Sequence, residues 1–279
     1  MKEKLNKFAK NITSQHGEDG ILEYIITHAK AQIRKTACEF GAWDGKFLSN
    51  TYNLWHDQGW KAILIESSSD RYRELVQNCS GKDVHALNCR VTPKGEGSLD
   101  HLFKINAFDP KIGILSIDID SDDYYVWKNL SYVDPQIVVI EHNQTIPGYI
   151  EYHDPEEDIF LRCSAKSLES LGLEKGYKLV CCTVTNSIFV KEALFNADKF
   201  PDMPVEYLFD YSHLSPQILL AGTDNMYPVF SKKLSFKGKI LFRILFRLIF
   251  RVLSLIGKKR YIRPSENVIR QIKKYDLDI

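Results

Sequence analysis

The sequence predicts an α/β fold built on a mostly parallel β-sheet. Short, strongly apolar runs alternate with helical patterns from about residue 20 to residue 190. Runs this apolar indicate strands that are buried on both faces, which is typical of a parallel sheet covered by helices. Because ligands in such sheets bind beyond the carboxyl ends of the strands, the residues that follow each strand are the first candidates for a site.

Seven segments have the composition and length of strands, and helical patterns lie around them. The predicted strands are residues 37–41, 61–66, 83–88, 112–118, 136–141, 177–183 and 187–190. The predicted helices are residues 21–33, 47–58, 70–78, 122–130 and 164–175. We therefore expect a seven-stranded sheet with helices on both faces, in a domain that spans residues 1–195.

Two further segments follow this domain. Residues 196–230 are rich in Pro, Asp and aromatic residues without clear periodicity, which predicts an irregular connection. Residues 231–279 contain 14 Lys and Arg against 3 Asp and Glu, which leaves 23 basic and 33 acidic residues in the rest of the chain. A basic tail on an acidic body predicts an anionic partner for the tail.

The tail contains a regular arginine repeat. Arg243, Arg247 and Arg251 lie four residues apart in KGKILFRILFRLIFRVLSLIGKKR, so they form one stripe of a basic amphipathic helix. We expect residues 231–263 to lie in the plane of an anionic membrane surface. Packing on the body or on a partner is an alternative, and three central arginines disfavour a membrane span. The segment is too apolar for nucleic-acid binding.

Cysteine spacing and the N-terminal sequence predict the compartment. The six cysteines form no Cys-x-x-Cys pair, and the first residues, MKEKLNKFAKN, contain no apolar signal-peptide run. We therefore expect a cytoplasmic protein that lies peripherally on the inner face of a membrane.

A glycine motif at the end of the first strand indicates a cofactor site. In CEFGAWDG, residues 38–45, Gly41 permits a tight turn and Gly45 a close backbone approach. The second strand ends in Glu66, which could accept hydrogen bonds from both hydroxyls of a ribose. Dinucleotide binders need Gly-x-Gly-x-x-Gly, whereas this loop contains Trp43 and Asp44, and a carboxylate suits a cationic ligand better than a pyrophosphate.

EFGAWDG resembles motif I of class I S-adenosylmethionine (SAM)-dependent methyltransferases, especially the loop of catechol O-methyltransferase-like enzymes. Together with SQHGEDGIL (14–22), SNT (49–51), SIDID (116–120) and IEHNQTIP (140–147), it resembles the FkbM-like methyltransferases over roughly residues 12–195. The resemblance implies a Rossmann-like class I fold, SAM as cofactor, and methyl transfer to a hydroxyl, with a saccharide of a surface glycan or glycolipid as the expected acceptor.

The resemblance also implies how residues are distributed around SAM. Those at its methionine and sulfonium end are Glu39, Gly41 and Gly45, and those at its amino acid moiety are Ser49, Asn50 and Thr51. Glu66 would bind the ribose, while Asn88 and Cys89 would flank the adenine. Gln15 and Asp19 would close over the cofactor from the N-terminal helix.

Polar clusters at the ends of the fourth and fifth strands predict the chemical site. The resemblance to catechol O-methyltransferase-like enzymes implies Mg²⁺ as a second cofactor, although His142 is interposed between two of the expected ligands. The expected metal ligands are Asp118, Asp120, Glu141 and Asn143, and the expected catalytic residues are Asp118, Glu141 and His142. Metal-free proton transfer to a carboxylate or to His142 is the alternative.

Two other functional classes compete with methyl transfer. A non-catalytic, membrane-attached scaffold could retain the same fold, although acids at the ends of four strands disfavour it. An NAD-binding enzyme is disfavoured by the glycine spacing.

Overall fold

The computed structural model describes residues 3–119, 122–156, 161–213, 217–221, 225–231 and 277–278. They belong to two compact units, of which the first ends at Phe209 and the second begins at Asp210. Asp120 and almost all of the basic amphipathic helix expected at 231–263 lie outside the described residues. Within those residues, the structure contains no helix that is long and apolar enough to cross a membrane.

One seven-stranded sheet forms the centre of the first unit. Its strands are β1 (Thr36–Phe40), β2 (Lys61–Glu66), β3 (Val84–Asn88), β4 (Lys111–Ile117), β5 (Asp134–Glu141), β6 (Tyr177–Cys182) and β7 (Asn186–Lys191). Their order is β3-β2-β1-β4-β5-β7-β6, and β7 runs antiparallel to both of its neighbours. The predicted mostly parallel, Rossmann-like sheet is confirmed. Its strand order reverses between β1 and β4, where ligands bind in such folds.

Six α-helices accompany this sheet in the described part of the first unit. They are α1 (Glu18–His28), α2 (Ser69–Asn78), α3 (Leu99–Ile105), α4 (Asp123–Asn129), α5 (Ala165–Glu174) and α6 (Val205–Leu208). Serine side chains cap α2, α3 and α5 by accepting a backbone N–H from the first turn; these are Ser68, Ser98 and Ser164. Short 3-10 turns lie at Leu5–Phe8 and Glu192–Leu194, and a π-helical turn at Asn53–Asp57.

Helices pack on both faces of the sheet. Ile21 of α1 and Leu75 of α2 belong to the same buried cluster as Ala37 of β1. Ile188 and Val190 of β7 belong to that cluster as well. Because residues alternate between faces along a strand, Phe189 between them lies on the opposite face. There the Trp127 ring of α4 lies 4.8 Å from the Phe189 ring. The predicted helical cover of both faces is confirmed.

Two of the predicted helices differ from the observed ones, and α3 and α6 lie where no helix was predicted. The helix expected at 47–58 is a loop that ends in the π-helical turn, because Glu39 accepts hydrogen bonds from the segment 49–51 and holds it in a non-helical path. Helix α1 ends at His28 rather than near Ile33, since the Lys30 N–H donates to the Leu194 carbonyl instead of continuing the helix.

The second unit contains a small antiparallel sheet. Its strands are β8 (Gln217–Ala221), β9 (Asn225–Ser231) and β10 (Leu277–Asp278), in the order β10-β9-β8. Strands β8 and β9 fall in the segment expected to be irregular. The division into three segments proposed from the sequence stays a prediction.

Candidate cofactor-binding site

A cleft of about 440 Å³ opens at the carboxyl ends of β1 to β4, at the switch point of the sheet. Its lining combines the glycine bend after β1 with the residues that end or follow the neighbouring strands. Six residues that the sequence predicted for the site line this cleft, namely Glu39, Gly41, Ser49, Glu66, Cys89 and Asp118. The cleft is therefore the candidate site of the cofactor.

Gly41 forms the bend at the base of the cleft. Its φ is +76°, and a Cβ atom placed there would lie 1.7 Å from the backbone oxygen of Asp118. The backbone N–H groups of Gly41 and Ala42 both donate to the Ile65 carbonyl at 3.1 Å, which ties the bend to β2. Only glycine can occupy this position, because a side chain would collide with the backbone that follows β4.

The Glu66 carboxylate lies against this bend. Its Oε2 accepts the backbone N–H of Trp43 at 2.8 Å, and its Oε1 accepts that of Ser68 at 2.7 Å. The residue is only 7% exposed yet lines the cleft. Since a carboxylate can accept about four hydrogen bonds, its remaining lone pairs can receive the two hydroxyls of a ribose.

Glu39 organises the loop that follows the bend. Its buried carboxylate accepts hydrogen bonds from the Ser49 hydroxyl at 2.5 Å, the Thr51 hydroxyl at 2.6 Å and the Asn50 backbone N–H at 2.9 Å. Burial raises the pKa of Glu39, and these donors oppose the rise. The predicted group Glu39, Ser49, Asn50 and Thr51 is thus one network, in which Glu39 positions the other three.

Asn50 leaves one polar atom of this network unused. Its Nδ2 donates to the Ser116 hydroxyl at 3.1 Å, while none of the described residues donates to its buried Oδ1. A buried acceptor without a partner is costly, so it marks a place where a ligand or water would gain a hydrogen bond.

Gly45 has a packing reason of its own. A Cβ atom there would lie 2.6 Å from Leu75 Cδ1 and 3.5 Å from the Trp55 ring, and its φ is +81°. Gly45 therefore lets the loop after β1 pack on α2 and the π-helical turn, and it lies outside the cleft lining.

Asp19 holds the loop of residues 12–14 and does not line the cleft. Asp19 Oδ2 accepts the backbone N–H groups of residues 12–14 at 2.8–3.0 Å and the Ser14 hydroxyl at 2.7 Å. The Thr13 hydroxyl donates to the Ser49 carbonyl at 3.2 Å, so this loop reaches the network around Glu39. Gln15 is exposed, and both Gln15 and Asp19 lie outside the cleft lining.

The two residues predicted to flank adenine behave differently. Asn88 donates from Nδ2 to the Glu66 carbonyl at 2.8 Å and so joins the ends of β2 and β3. Cys89 follows it and lines the cleft, where burial raises the pKa of its thiol. Cys89 is therefore the one of this pair that lines the cleft.

The residues predicted as metal ligands are not assembled at the end of β5. Glu141 forms an ion pair with the guanidinium of Arg162. Both side-chain groups of Asn143 are engaged within its own loop, with Nδ2 donating to the Leu161 carbonyl at 2.9 Å and Oδ1 accepting from Thr145 at 2.6 and 2.8 Å. Among the residues that the structure describes, no three His, Cys, Asp or Glu cluster as a metal site. This donor set does not fit Mg²⁺.

His142 is buried away from the cleft lining. It is 1% exposed, its Nδ1 lies 3.0 Å from the Ser187 hydroxyl, and its ring centroid lies 5.4 Å from that of Phe209. Burial, together with the charge of Arg162, lowers the pKa of His142 to about 3. A general base must reach the proton that it accepts, and this position gives His142 no such access.

Arg162 is the residue of this region that the sequence did not reveal. It is a non-glycine residue with φ +64°, and its guanidinium lies where the resemblance implied a metal beside Glu141. Ile117 and Ile140 are partners in the sheet register, so Glu141 and Asp118 leave adjacent strands side by side. The cation beside Glu141 is thus supplied by the chain itself.

No family model and no curated protein sequence matches this chain. Similar solved structures include a SAM-dependent methyltransferase from Aquifex aeolicus, which is 12% identical with a TM-score of 0.36 over 63% of this chain and 90% of that one. The fibrillarin pre-rRNA processing protein of Methanococcus jannaschii is 15% identical with a TM-score of 0.42, over 63% and 76%. At these values the interpretation of the site rests on its own geometry.

Proposed function

We propose that this chain is a SAM-dependent methyltransferase whose cofactor binds in the cleft at the ends of β1 to β4. The observation that carries the proposal is the Glu66 carboxylate, held against the Gly41 bend by the Trp43 N–H. It offers acceptors for a ribose beside a turn where only glycine fits. Ser49, which the Glu39 network holds in place, lines the same cleft and suits the amino acid end of the cofactor.

The path of the chain after β1 favours SAM over a dinucleotide. A pyrophosphate binds to the N-terminus of a helix that follows the glycine turn directly. Here the described segment after Gly41 is a loop, and the first helical turn begins at Asn53. This geometry provides no helix N-terminus beside the bend, whereas a nucleoside with a positive sulfonium needs none.

The reaction that we propose is transfer of a methyl group to an acceptor hydroxyl. SAM, when bound, supplies an electrophilic methyl group on positive sulfur. Glu66 would orient the nucleoside, and the network around Glu39 would hold the loop at its amino acid end. Of the predicted catalytic residues, Asp118 lines the cleft. We therefore assign to its carboxylate the role of the base that removes the proton from the acceptor hydroxyl. Arg162 would stabilise negative charge that develops nearby.

Our proposals for the acceptor and for the membrane contact are based on the sequence. We propose a saccharide hydroxyl as the acceptor, because the chain resembles FkbM-like enzymes, and an anionic membrane as the partner of residues 231–263, because of their charge and apolar composition. Incubation with methyl-labelled SAM and separated glycan and glycolipid fractions would test the acceptor. Label that resists alkaline hydrolysis supports an ether on a sugar, and label found in protein alone contradicts it.

Calorimetry with SAM, its demethylated product and NAD⁺ tests the cofactor. We expect saturable binding of the first two at one site and no binding of NAD⁺. Binding of NAD⁺ alone would contradict the proposal. If the protein binds the demethylated product of SAM but transfers no labelled methyl group to any glycan or glycolipid fraction, the non-catalytic scaffold is favoured.

A further inference from the structure

Three large apolar side chains are exposed at the mouth of the cleft. Trp43, Phe47 and Leu48 are 43%, 56% and 43% exposed, and all three line the opening. We call residues 43–48 the lip. Exposed apolar side chains that are grouped beside a ligand cleft indicate a binding surface, whereas isolated ones need no explanation.

The backbone of the lip holds these side chains outward. Trp43 and Leu48 have φ of +51° and +55°, a conformation that bulky residues rarely adopt. Asp44 Oδ1 accepts the N–H groups of Lys46 and Phe47 at 2.9 and 2.6 Å, and Asn78 donates to the Asp44 carbonyl at 2.8 Å. The exposure is therefore imposed by a braced and strained loop, which is typical of functional sites.

Cationic groups accompany the apolar side chains. Lys46 belongs to the lip and is exposed, and the Arg71 guanidinium lies 4.3 Å from the centroid of the Trp43 ring. Arg90 also lines the cleft and is largely exposed. Tryptophan and other large apolar groups flanked by Lys and Arg are the combination found where proteins meet the interface of a lipid bilayer.

We propose that the lip docks on a lipid bilayer surface. Docking would insert the Trp43, Phe47 and Leu48 side chains among the lipids and place Lys46 and Arg71 at the phosphates. The cofactor cleft would then open toward an acceptor held in the membrane. This contact is separate from the basic tail, and it goes beyond the cofactor assignment.

Trp43 allows the lip to be observed alone. The other three tryptophans, Trp55, Trp60 and Trp127, are at most 2% exposed, so changes in tryptophan emission on mixing with vesicles report on Trp43. Full-length protein would be mixed with phosphatidylcholine vesicles, with or without phosphatidylglycerol. We expect the emission to shift to shorter wavelength, and brominated lipids to quench it. Co-sedimentation with both vesicle types without either change means that the tail alone binds, which overturns the proposal.

Matched variants separate the lip from general surface hydrophobicity. The double variant Phe47→Ser, Leu48→Ser should lose the shift and bind vesicles about tenfold or more weakly. Ile105→Ser and Leu173→Ser remove side chains elsewhere that are at least as exposed, and these variants should retain the emission shift and the vesicle affinity. Circular dichroism would verify that each variant is folded. Equal losses in the control variants, or a retained shift in the double variant, would overturn the proposal.

Calorimetry distinguishes this inference from the proposed function. Protein that binds the demethylated product of SAM but shows no Trp43 response to vesicles contradicts docking alone. Protein whose Trp43 inserts into vesicles but that binds neither SAM nor its product contradicts the cofactor assignment alone.

Discussion

Polar residues end or follow β1 and β2 in the sequence, and polar residues likewise lie at the end of β5. The structure nevertheless places the two groups in different surroundings. At β1 and β2, a glycine bend and two buried carboxylates surround an open cleft. At β5, Glu141 is paired with Arg162 and His142 is buried beneath Ser187 and Phe209. A polar residue at a strand end therefore indicates a site only where its neighbours leave it free to meet a ligand.

The partners of each carboxylate explain this difference. Glu66 accepts its two short hydrogen bonds from the backbone N–H groups of Trp43 and Ser68, which are at most 23 residues away in the sequence. Glu141 meets a guanidinium that a later loop brings back to β5. We expect the first region to bind the cofactor and the second to contribute charge and stability, and four predictions test this contrast.

The largest expected loss of stability follows from adding a side chain at Gly41. Gly41→Ala should lower the free energy of unfolding by more than about 3 kcal/mol, because its Cβ would collide with the Asp118 backbone at a positive φ. Gly59→Ala is the matched control: its φ is +68° but its Cβ would meet nothing within 4 Å. That variant should lose only about 1–2 kcal/mol. Urea denaturation measures both, and equal losses would contradict the steric account.

The next effect concerns Glu66, the proposed ribose ligand. Glu66→Ala should weaken SAM binding by about 10- to 100-fold, since charge-assisted hydrogen bonds contribute about 1.5–3 kcal/mol. Glu174→Ala, at an exposed position at the end of α5, serves as the control and should bind SAM as the unaltered protein does. Calorimetry measures both affinities. Unchanged affinity in Glu66→Ala would remove its assigned role.

Acid should reveal the burial of His142. Its pKa falls from 6.5 to about 3 in the folded protein, so its stabilising contribution is complete above pH 6.5 and is lost as the pH falls toward 3. The loss should approach about 1.4 kcal/mol per pH unit in that window. The difference in unfolding free energy between the unaltered protein and His142→Gln should shrink accordingly. A constant difference between about pH 7 and pH 5 would mean that His142 is solvated.

The sequence predicted the sheet, and six of the site residues that it proposed line one cleft, because both results depend on local patterns. The cofactor roles of these residues stay predictions. Apolar runs defined the seven strands, and the Gly41 and Glu66 positions follow from what a turn and a strand end require. It could not predict the second region. The pairing of Glu141 with Arg162, and the burial of His142 by Phe209, depend on chain segments that return from 21 and 67 residues away. No short motif encodes such contacts.

The smallest expected effect is the titration of Glu39. Burial raises its pKa, so its contribution to stability is complete below the unfolded pKa of 4.5 and is lost as the pH rises through the folded pKa. The Ser49 and Thr51 hydroxyls donate to the carboxylate and oppose the rise in its pKa, which narrows that pH window. Glu39→Gln should remove this pH dependence in urea titrations. An unchanged pH profile would show that the carboxylate is not buried.

A crystal structure with the demethylated product of SAM tests the central claim most directly. We predict ribose hydroxyl oxygens within about 3 Å of the Glu66 carboxylate, with the Gly41 bend beneath the ligand and the β5 end unoccupied by it. A ligand bound elsewhere, or a Glu66 carboxylate that contacts only the backbone of Trp43 and Ser68, would contradict the assignment.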